Sequence, residues 1–320
     1  MHSELNGITE IRVFSPATVS NVGSGFDIFG FALDEPGDEV ILRITKQKGI
    51  RILKISGDNG LLPMDTARNT CTVALSSMMK KLNLNFGVEI EINKKMPFKS
   101  GLGSSAASAV AGVFALNTLL KNPVTLYELL PFALEGERIS SGMTVHSDNV
   151  APALFGGFVL VRSNDPVDII SIPLPKDFYC TILHPHIEID TAHARSILPS
   201  SISLHDGIKQ WANTAGLVAG LMKRDFALVK RSIEDNVAEP VRSKLIPGFE
   251  KVKEAVNYFN SFGFGISGSG PSMFALTRSK LDALKIGNIM KKSFAQANDG
   301  NIDSDIFISS INIYGPKILG

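Results

Sequence analysis

The stretch MPFKSGLGSSAASAVAG, Met96 to Gly112, places a lysine, closely spaced glycines and paired serines ahead of a run of alanines. Gly101 and Gly103 admit positive φ and carry no side-chain bulk, which lets a ligand approach the backbone. Successive N–H groups in such a turn form an anion-binding nest. A helix beginning at Ser104 would add its N-terminal N–H groups and the positive end of its dipole. Ser104 and Ser105 can bond phosphate oxygens or a phosphate-bound Mg²⁺, and Lys99 adds positive charge at the entrance. The same residues would also suit an ordinary strand-to-helix turn with a serine cap. The chain contains no G-x-x-x-x-G-K-[ST], so this is not a Walker loop.

Two further glycine clusters bear on that choice. One is SPATVSNVGSGFDIFGFAL, Ser15 to Leu33; the other is GFGISGSGPSMFAL, Gly263 to Leu276. Gly263, Gly265 and Gly268 match G-x-G-x-x-G, but Pro271 and a strand-like run follow where a dinucleotide fingerprint needs a helix. With PFKSGLGSSAAS between them, the clusters resemble, in order, the three motifs of the GHMP kinase superfamily, from residue 15 to residue 276. The resemblance implies a two-domain α+β fold. Its N-terminal domain would be ribosomal-protein-S5-like, with a left-handed βαβ unit, and its C-terminal domain ferredoxin-like. The site would lie between them, with the glycines of the third motif bracing the phosphate loop.

The first motif is most similar to the branch of that superfamily that acts on homoserine. So are SSGMTVHSDNVAPALFGGF, Ser140 to Phe158, IDTAHARSILP, Ile189 to Pro199, and AEPVRSKLIPGF, Ala238 to Phe249. The implied activity is ATP-dependent phosphorylation of the L-homoserine hydroxyl to O-phospho-L-homoserine, in threonine biosynthesis. The implied substrate residues are Asn21, Asp27, His146, Asp148, Thr191, Arg195 and Arg242. Asn21, Ser104 and Glu137 would take part in catalysis, with Ser104 and Glu137 holding Mg²⁺. ATP would meet Asn69 near its base, and Pro97, Lys99, Ser100, Gly101, Leu102, Gly103, Ser104, Ser105, Ala106 and Ala107 around its phosphates. The alternatives are another acceptor of the superfamily (mevalonate, phosphomevalonate or a sugar), a decarboxylase of the same superfamily, and a non-catalytic binding protein of this fold.

The chemistry agrees from below. Homoserine is a zwitterion with a hydroxyl. Its carboxylate suits a planar guanidinium fork, for which Arg195 and Arg242 are candidates. Its ammonium needs carboxylates or amide oxygens, which Asp27, Asp148 and Asn21 carry. Each residue also has a structural alternative: Asp27 capping a turn, Arg242 pairing with Glu239 on the surface, His146 as a satisfied core histidine.

The elements that must position these residues can be read from periodicity and end signals. EIRVFSPA, EVILRIT, GIRILKIS and FGVEIEIN read as strands, as do FYCTILHP, SMFALT and DIFISSINIY. TARNTCTVALSSMMKKLN reads as a helix with Lys80 and Lys81 in its last turn, and the Ser104 helix is apolar on most faces, predicting deep burial. VTLYELLPFALEGERISSG is a helix in which Pro131 marks a break or kink. Further helices are expected at LHDGIKQWANTAGLVAGLMK, FALVKRSIED, GFEKVKEAVNYFNSF and KLDALKIGNIMKKSFAQ. The segment SNDPVDIISIPLPKDF suggests a linker, dividing the chain into domains 1–165 and 166–320.

The chain has 320 residues, 44% hydrophobic and 20% charged, with a net charge of +1. That balance argues against a nucleic-acid surface. Cys71 and Cys180 stand alone in apolar settings and read as small buried hydrophobes. No signal peptide or membrane span is evident. A cytoplasmic protein without nucleic-acid or membrane partners is expected, and a homodimer is possible by resemblance.

Overall fold

The computed structural model describes residues 9–141, 147–175, 177–259 and 261–319. The chain first lays down β1 (Glu10–Ser20), β2 (Phe29–Thr45) and β3 (Gly49–Ser56), then α1 (Thr70–Lys81) and β4 (Gly87–Asn93). Helices α2 (Ser104–Leu119), α3 (Leu126–Ser141) and α4 (Ser147–Phe155) follow, and then the hairpin β5 (Phe158–Asn164) and β6 (Val167–Ile172). The second half runs β7 (Tyr179–Pro185), α5 (Thr191–Ser196), α6 (Leu204–Lys223), α7 (Phe226–Ser232), α8 (Glu239–Arg242) and α9 (Phe249–Asn257). It ends β8 (Gly263–Ile266), β9 (Met273–Thr277), α10 (Lys280–Ala297), β10 (Ser304–Ser310) and β11 (Lys317–Ile318).

These strands form two sheets. The first has the order β11-β1-β2-β4-β3, with the β5–β6 hairpin pairing onto the Phe29–Phe31 end of β2. Within it β3 and β4 are parallel, joined across α1. The second sheet has the order β10-β7-β9-β8 with every pair antiparallel. Two helical crossovers connect its strands, which is the ferredoxin-like arrangement.

Local sequence accounts for most of these elements. Asn69 caps α1 by accepting from the Cys71 N–H, and Lys80 and Lys81 lie in its last turn. Ser203 and Ser279 cap α6 and α10 in the same way. Helix α2 carries small and apolar residues on all faces and packs between β1, β2, α1 and α3, so it is buried almost throughout.

Three readings change. The serines at the start of α2 do not cap it: the N-cap is Gly103 at φ 68°, with no side-chain bond. Helix α3 continues through Pro131, because Leu129, Leu130, Ala133 and Leu134 around it are buried in the core. That packing outweighs one missing backbone bond. Residue 165 falls in the turn of the β5–β6 hairpin, so a division of the chain by sheets falls after Ile172, and β11 returns to the first sheet beside β1.

The two sheets share a core. Ala17, Val19, Phe29, Phe31 and Phe158 from the first pack with Cys180, Ile182, Phe274 and Leu276 from the second. Phe31 and Phe274 meet edge to face at 6.3 Å. Phe274→Ala should therefore cost about 3–5 kcal/mol. Urea unfolding followed by fluorescence and by circular dichroism should still give coincident transitions. Two separated transitions in the wild type would contradict the shared core.

Candidate active site at the junction of the two sheets

The turn from Ser100 to Gly103 is held by its carbonyls. Ser100 O accepts from the Ser272 N–H (3.3 Å), Gly101 O from Ser267 Oγ (2.7 Å) and Leu102 O from the Thr18 N–H (3.0 Å). A trans peptide points its N–H opposite to its C=O. The N–H groups of Gly101, Leu102 and Gly103 therefore face away from these partners. The first N–H groups of α2 lack helical partners by geometry and extend the nest. Ala107 is already inside the helix, donating its N–H to Gly103 O at 2.9 Å.

The glycines have the expected positive φ and serve a further purpose. A Cβ on Gly101 would lie 2.3 Å from Ser267 O, and one on Gly103 would lie 2.1 Å from Thr18 Oγ1. Both residues have positive φ, 76° and 68°. Their missing side chains admit the protein's own first and third motifs, and those motifs in turn aim the amides.

The two serines are wired differently from the expectation. Ser104 Oγ donates to Asp38 Oδ2 at 2.7 Å, while Ser105 Oγ donates to Glu137 Oε1. Ser105, not Ser104, is thus the hydroxyl placed with Glu137, which is only 9% exposed. Pro97 is partly buried at the start of the loop. Lys99 reaches Glu188 at 3.1 Å, so a carboxylate from the second half offsets its charge. The side chain of Asn69 is occupied by its cap and by Pro63 O, and its neighbour Thr70 donates to Ser105 O at 3.4 Å. Asn69 therefore stands beside the loop as a cap.

Beside the loop lies the second group. Asn21 and Asp27 both have positive φ, 56° and 59°. Asn21 Oδ1 accepts from the Asp27 N–H (2.7 Å) and its Nδ2 donates to Gly268 O (3.0 Å), pinning the first motif to the third. Arg195 donates through both Nη atoms to Asp27 Oδ2, at 2.7 and 2.8 Å. Arg242 is 5% exposed and donates to Ala194 O and Gly268 O. Among the described residues it meets no carboxylate within ion-pair distance. Glu239, the surface partner considered for it, pairs with Lys253 instead, at 2.6 Å. Both guanidinium groups lie near the Phe26 ring, 5.5 and 5.0 Å from its centroid.

Asp148, at the start of α4, is 2% exposed, and its Oδ1 has no hydrogen-bond partner among the described residues. Burial, and next the charge of Asp27, pushes its carboxyl up to about 7. Thr191 opens α5, exposed, with Oγ1 3.4 Å from Ser269 Oγ. His146 lies outside the described residues. The expected substrate residues on Asn21, Asp27, Asp148, Arg195 and Arg242 thus come together. Sequence reasoning missed Phe26, Asp38, Lys94 and Asn149. Asn149 accepts from Thr18 Oγ1 (2.8 Å) and donates to Ser20 Oγ (3.0 Å), joining α4 to β1. Its place in HSDNVAP, beside Asp148, was the available signal.

Cys71 and Cys180 are both buried, and burial raises the Cys71 thiol to about 12. No helix among the described residues is long and apolar enough to cross a membrane.

Comparison with known proteins agrees with this geometry. Residues 69–157 match the GHMP kinases N terminal domain and residues 217–296 the GHMP kinases C terminal. A homoserine kinase of Chloroherpeton thalassium is 45% identical, covering 97% of this chain and 99% of the relative. One of Chlorobium phaeovibrioides is 46% identical, at 97% and 99%. The crystal structure of homoserine kinase from Cytophaga hutchinsonii superposes with a TM-score of 0.94 at 52% identity, covering 98% of both chains.

Gly101→Ala forces a left-handed alanine against a fixed carbonyl. It should lower the unfolding free energy by at least about 1–2 kcal/mol. Urea titration measures this, and a variant as stable as the wild type would show that the loop is not clamped at Ser267.

Proposed function

Since the chain belongs to the GHMP kinase family, in its homoserine kinase branch, we propose that it transfers the γ-phosphoryl of ATP to the side-chain hydroxyl of L-homoserine. The products are O-phospho-L-homoserine and ADP, in threonine biosynthesis. The observation that carries the choice of acceptor is a pair of buried ionisable groups that have no ion-pair partner among the described residues. Among the described residues, Arg242 is a guanidinium that donates to two carbonyls, and Asp148 is a carboxyl with one oxygen lacking a hydrogen-bond partner. A zwitterionic amino acid supplies the missing partner of each: its carboxylate meets Arg242, with Arg195 beside it, and its ammonium meets Asp148. A sugar or mevalonate has no ammonium.

The nest at residues 101–106 would hold the phosphates. Ser105 and Glu137 offer two hard oxygen donors at its edge and would hold Mg²⁺, which keeps waters and phosphate oxygens as its other ligands. The ion would neutralise charge on the transferred group. The protein's own residues hold the two substrates in line. The bond from the homoserine oxygen to the γ-phosphorus forms as the β–γ bridging bond breaks. The hydroxyl proton passes to phosphate or water. Asn21 has no group that takes it, and we assign no general base. A homodimer and a cytoplasmic location are carried over from the resemblance as further parts of this proposal.

A coupled assay of ADP release over homoserine, mevalonate, phosphomevalonate, galactose and water tests the reading. Homoserine should exceed the others by about a hundredfold or more in kcat/KM, equivalent to about 2.7 kcal/mol. Equal rates, or none, would refute it.

Asp148 gives a pH test with two signs. Its folded value, about 7, lies above the ordinary 3.8. The native state therefore holds a proton that the unfolded state has released, and this group's contribution to stability falls between about pH 4 and pH 7. Homoserine binding should do the opposite: the ammonium favours the carboxylate, so affinity rises from pH 6 to pH 8. Asp148→Asn should abolish both trends and raise the homoserine KM about tenfold or more, as for a lost charged hydrogen bond. The ATP KM should change less than about twofold. Denaturation and kinetics at matched pH values decide.

A further inference from the structure

A buried carboxylate that plays no part in the acceptor site lies under the phosphate loop. Asp38, within β2, has no solvent exposure. Its Oδ1 accepts from the N–H groups of Lys95 (2.8 Å) and Met96 (3.1 Å), on the strand of chain leading into the loop. Its Oδ2 accepts from Ser104 Oγ (2.7 Å), where the loop ends, and pairs with the Lys94 ammonium. Lys94 Nζ also donates to Ser104 O (2.8 Å) and Ser108 Oγ (2.7 Å), in the first turn of α2. Four donors use the acceptor capacity of the carboxylate, and three acceptors use the ammonium.

We propose that Asp38 is a positioning residue for the nucleotide: acting through Lys94 and Ser104, it ties both stems of the phosphate loop together. The inference rests on the phosphate-loop reading above and adds what holds the loop's ends. One side chain joins the approach at residues 95–96 to the exit at residue 104, so the amides between them are ordered before a nucleotide arrives. Lys94 alone would be unfavourable beside the positive end of α2. With Asp38 it forms a neutral unit, and the same three contacts fix the direction of the helix.

Stability and positioning can be separated, because the two roles respond differently to charge removal. Deleting one member of a buried pair leaves an uncompensated charge, whereas replacing both is often neutral for folding. Asp38→Asn, and the double variant Asp38→Asn with Lys94→Met, are compared with the wild-type chain by urea unfolding, ADP titration calorimetry and steady-state kinetics. In Asp38→Asn, stability should fall, and the ADP Kd and the ATP KM should rise about tenfold or more, the size expected for lost charged hydrogen bonds. The homoserine KM should stay within about twofold of wild type. The double variant should regain stability yet keep the weakened ADP binding, because the carboxylate and ammonium ties to Ser104 are gone. ADP affinity that returns together with stability, or that is unchanged in Asp38→Asn, overturns the proposal. A wild-type chain that binds no ADP and phosphorylates no alcohol is a different failure: it removes the kinase reading itself, and the positioning role with it.

Discussion

Three carbonyl groups, those of Ser100, Gly101 and Leu102, set the rest of the site. Each is held by an atom from another part of the chain: Thr18 in β1, Ser267 just after β8, and Ser272 just before β9. Because a peptide unit is planar, fixing its oxygen fixes its N–H. The anion nest is therefore imposed from behind, by strands of both sheets, and exists only when the two are packed together. The shared aromatic core between them is in this sense part of the binding site. The same constraint explains Gly101 and Gly103. Their lost side-chain volume is occupied by protein, so the demand for glycine comes from the clamp and is present without any ligand.

The acceptor side follows a different principle. A folded protein rarely keeps a charged group buried without a partner. Among the described residues Arg242 donates to two carbonyls, and Asp148 has an oxygen without a hydrogen-bond partner and a carboxyl drawn towards neutrality. Arg195 and Asp27, more exposed, neutralise one another. The site thus combines one ion pair with a buried guanidinium and a buried carboxyl that have no ion-pair partner among the described residues. A zwitterion of the proposed kind would supply a partner to each. The left-handed backbone at Asn21 and Asp27 adds strain. It is sustained by the bonds of Asn21 to Gly268 and to the Asp27 amide, which hold the first and third motifs in register.

What the sequence made legible follows from the range of the interactions involved. Helices α1, α6 and α10 carry their caps and periodicity within themselves, and β4 shows strict alternation, so local reading places them closely. Helix α3 runs through Pro131 because long-range packing overrides a local penalty, and β6 hides in a Pro- and Asp-rich stretch because its partner strand supplies the pairing. The candidate site divides in the same way. Motif spacing brought out Asn21, Asp27, Asp148, Arg195 and Arg242, yet it gave their identities without their wiring. That Ser104 turns to Asp38, and Ser105 to Glu137, depends on side chains 66 and 32 residues away. Asp38 follows the pair Pro36-Gly37, which reads as a turn in sequence, so it resembles any loop-adjacent acid there. Only its burial among four donors reveals it.

The wiring also bears on how the proposed transfer proceeds without a base. Asn21 stands where a proton acceptor would be sought, but its amide is spent on two backbone groups and cannot take a proton. Asp27 is engaged by both Nη atoms of Arg195, at 2.7 and 2.8 Å. Asp148 is raised by burial, and its oxygen without a partner among the described residues is the group an ammonium would claim in the proposed complex. In a loose transition state the attacking oxygen bonds weakly and stays close to neutral until late, so early proton removal gains little. The work left to the chain is to hold a hydroxyl in line with a fixed phosphoryl group. In the proposed complex that task would fall to the clamped amides, the tied loop, and Arg242 and Asp148 at the amino acid's other end.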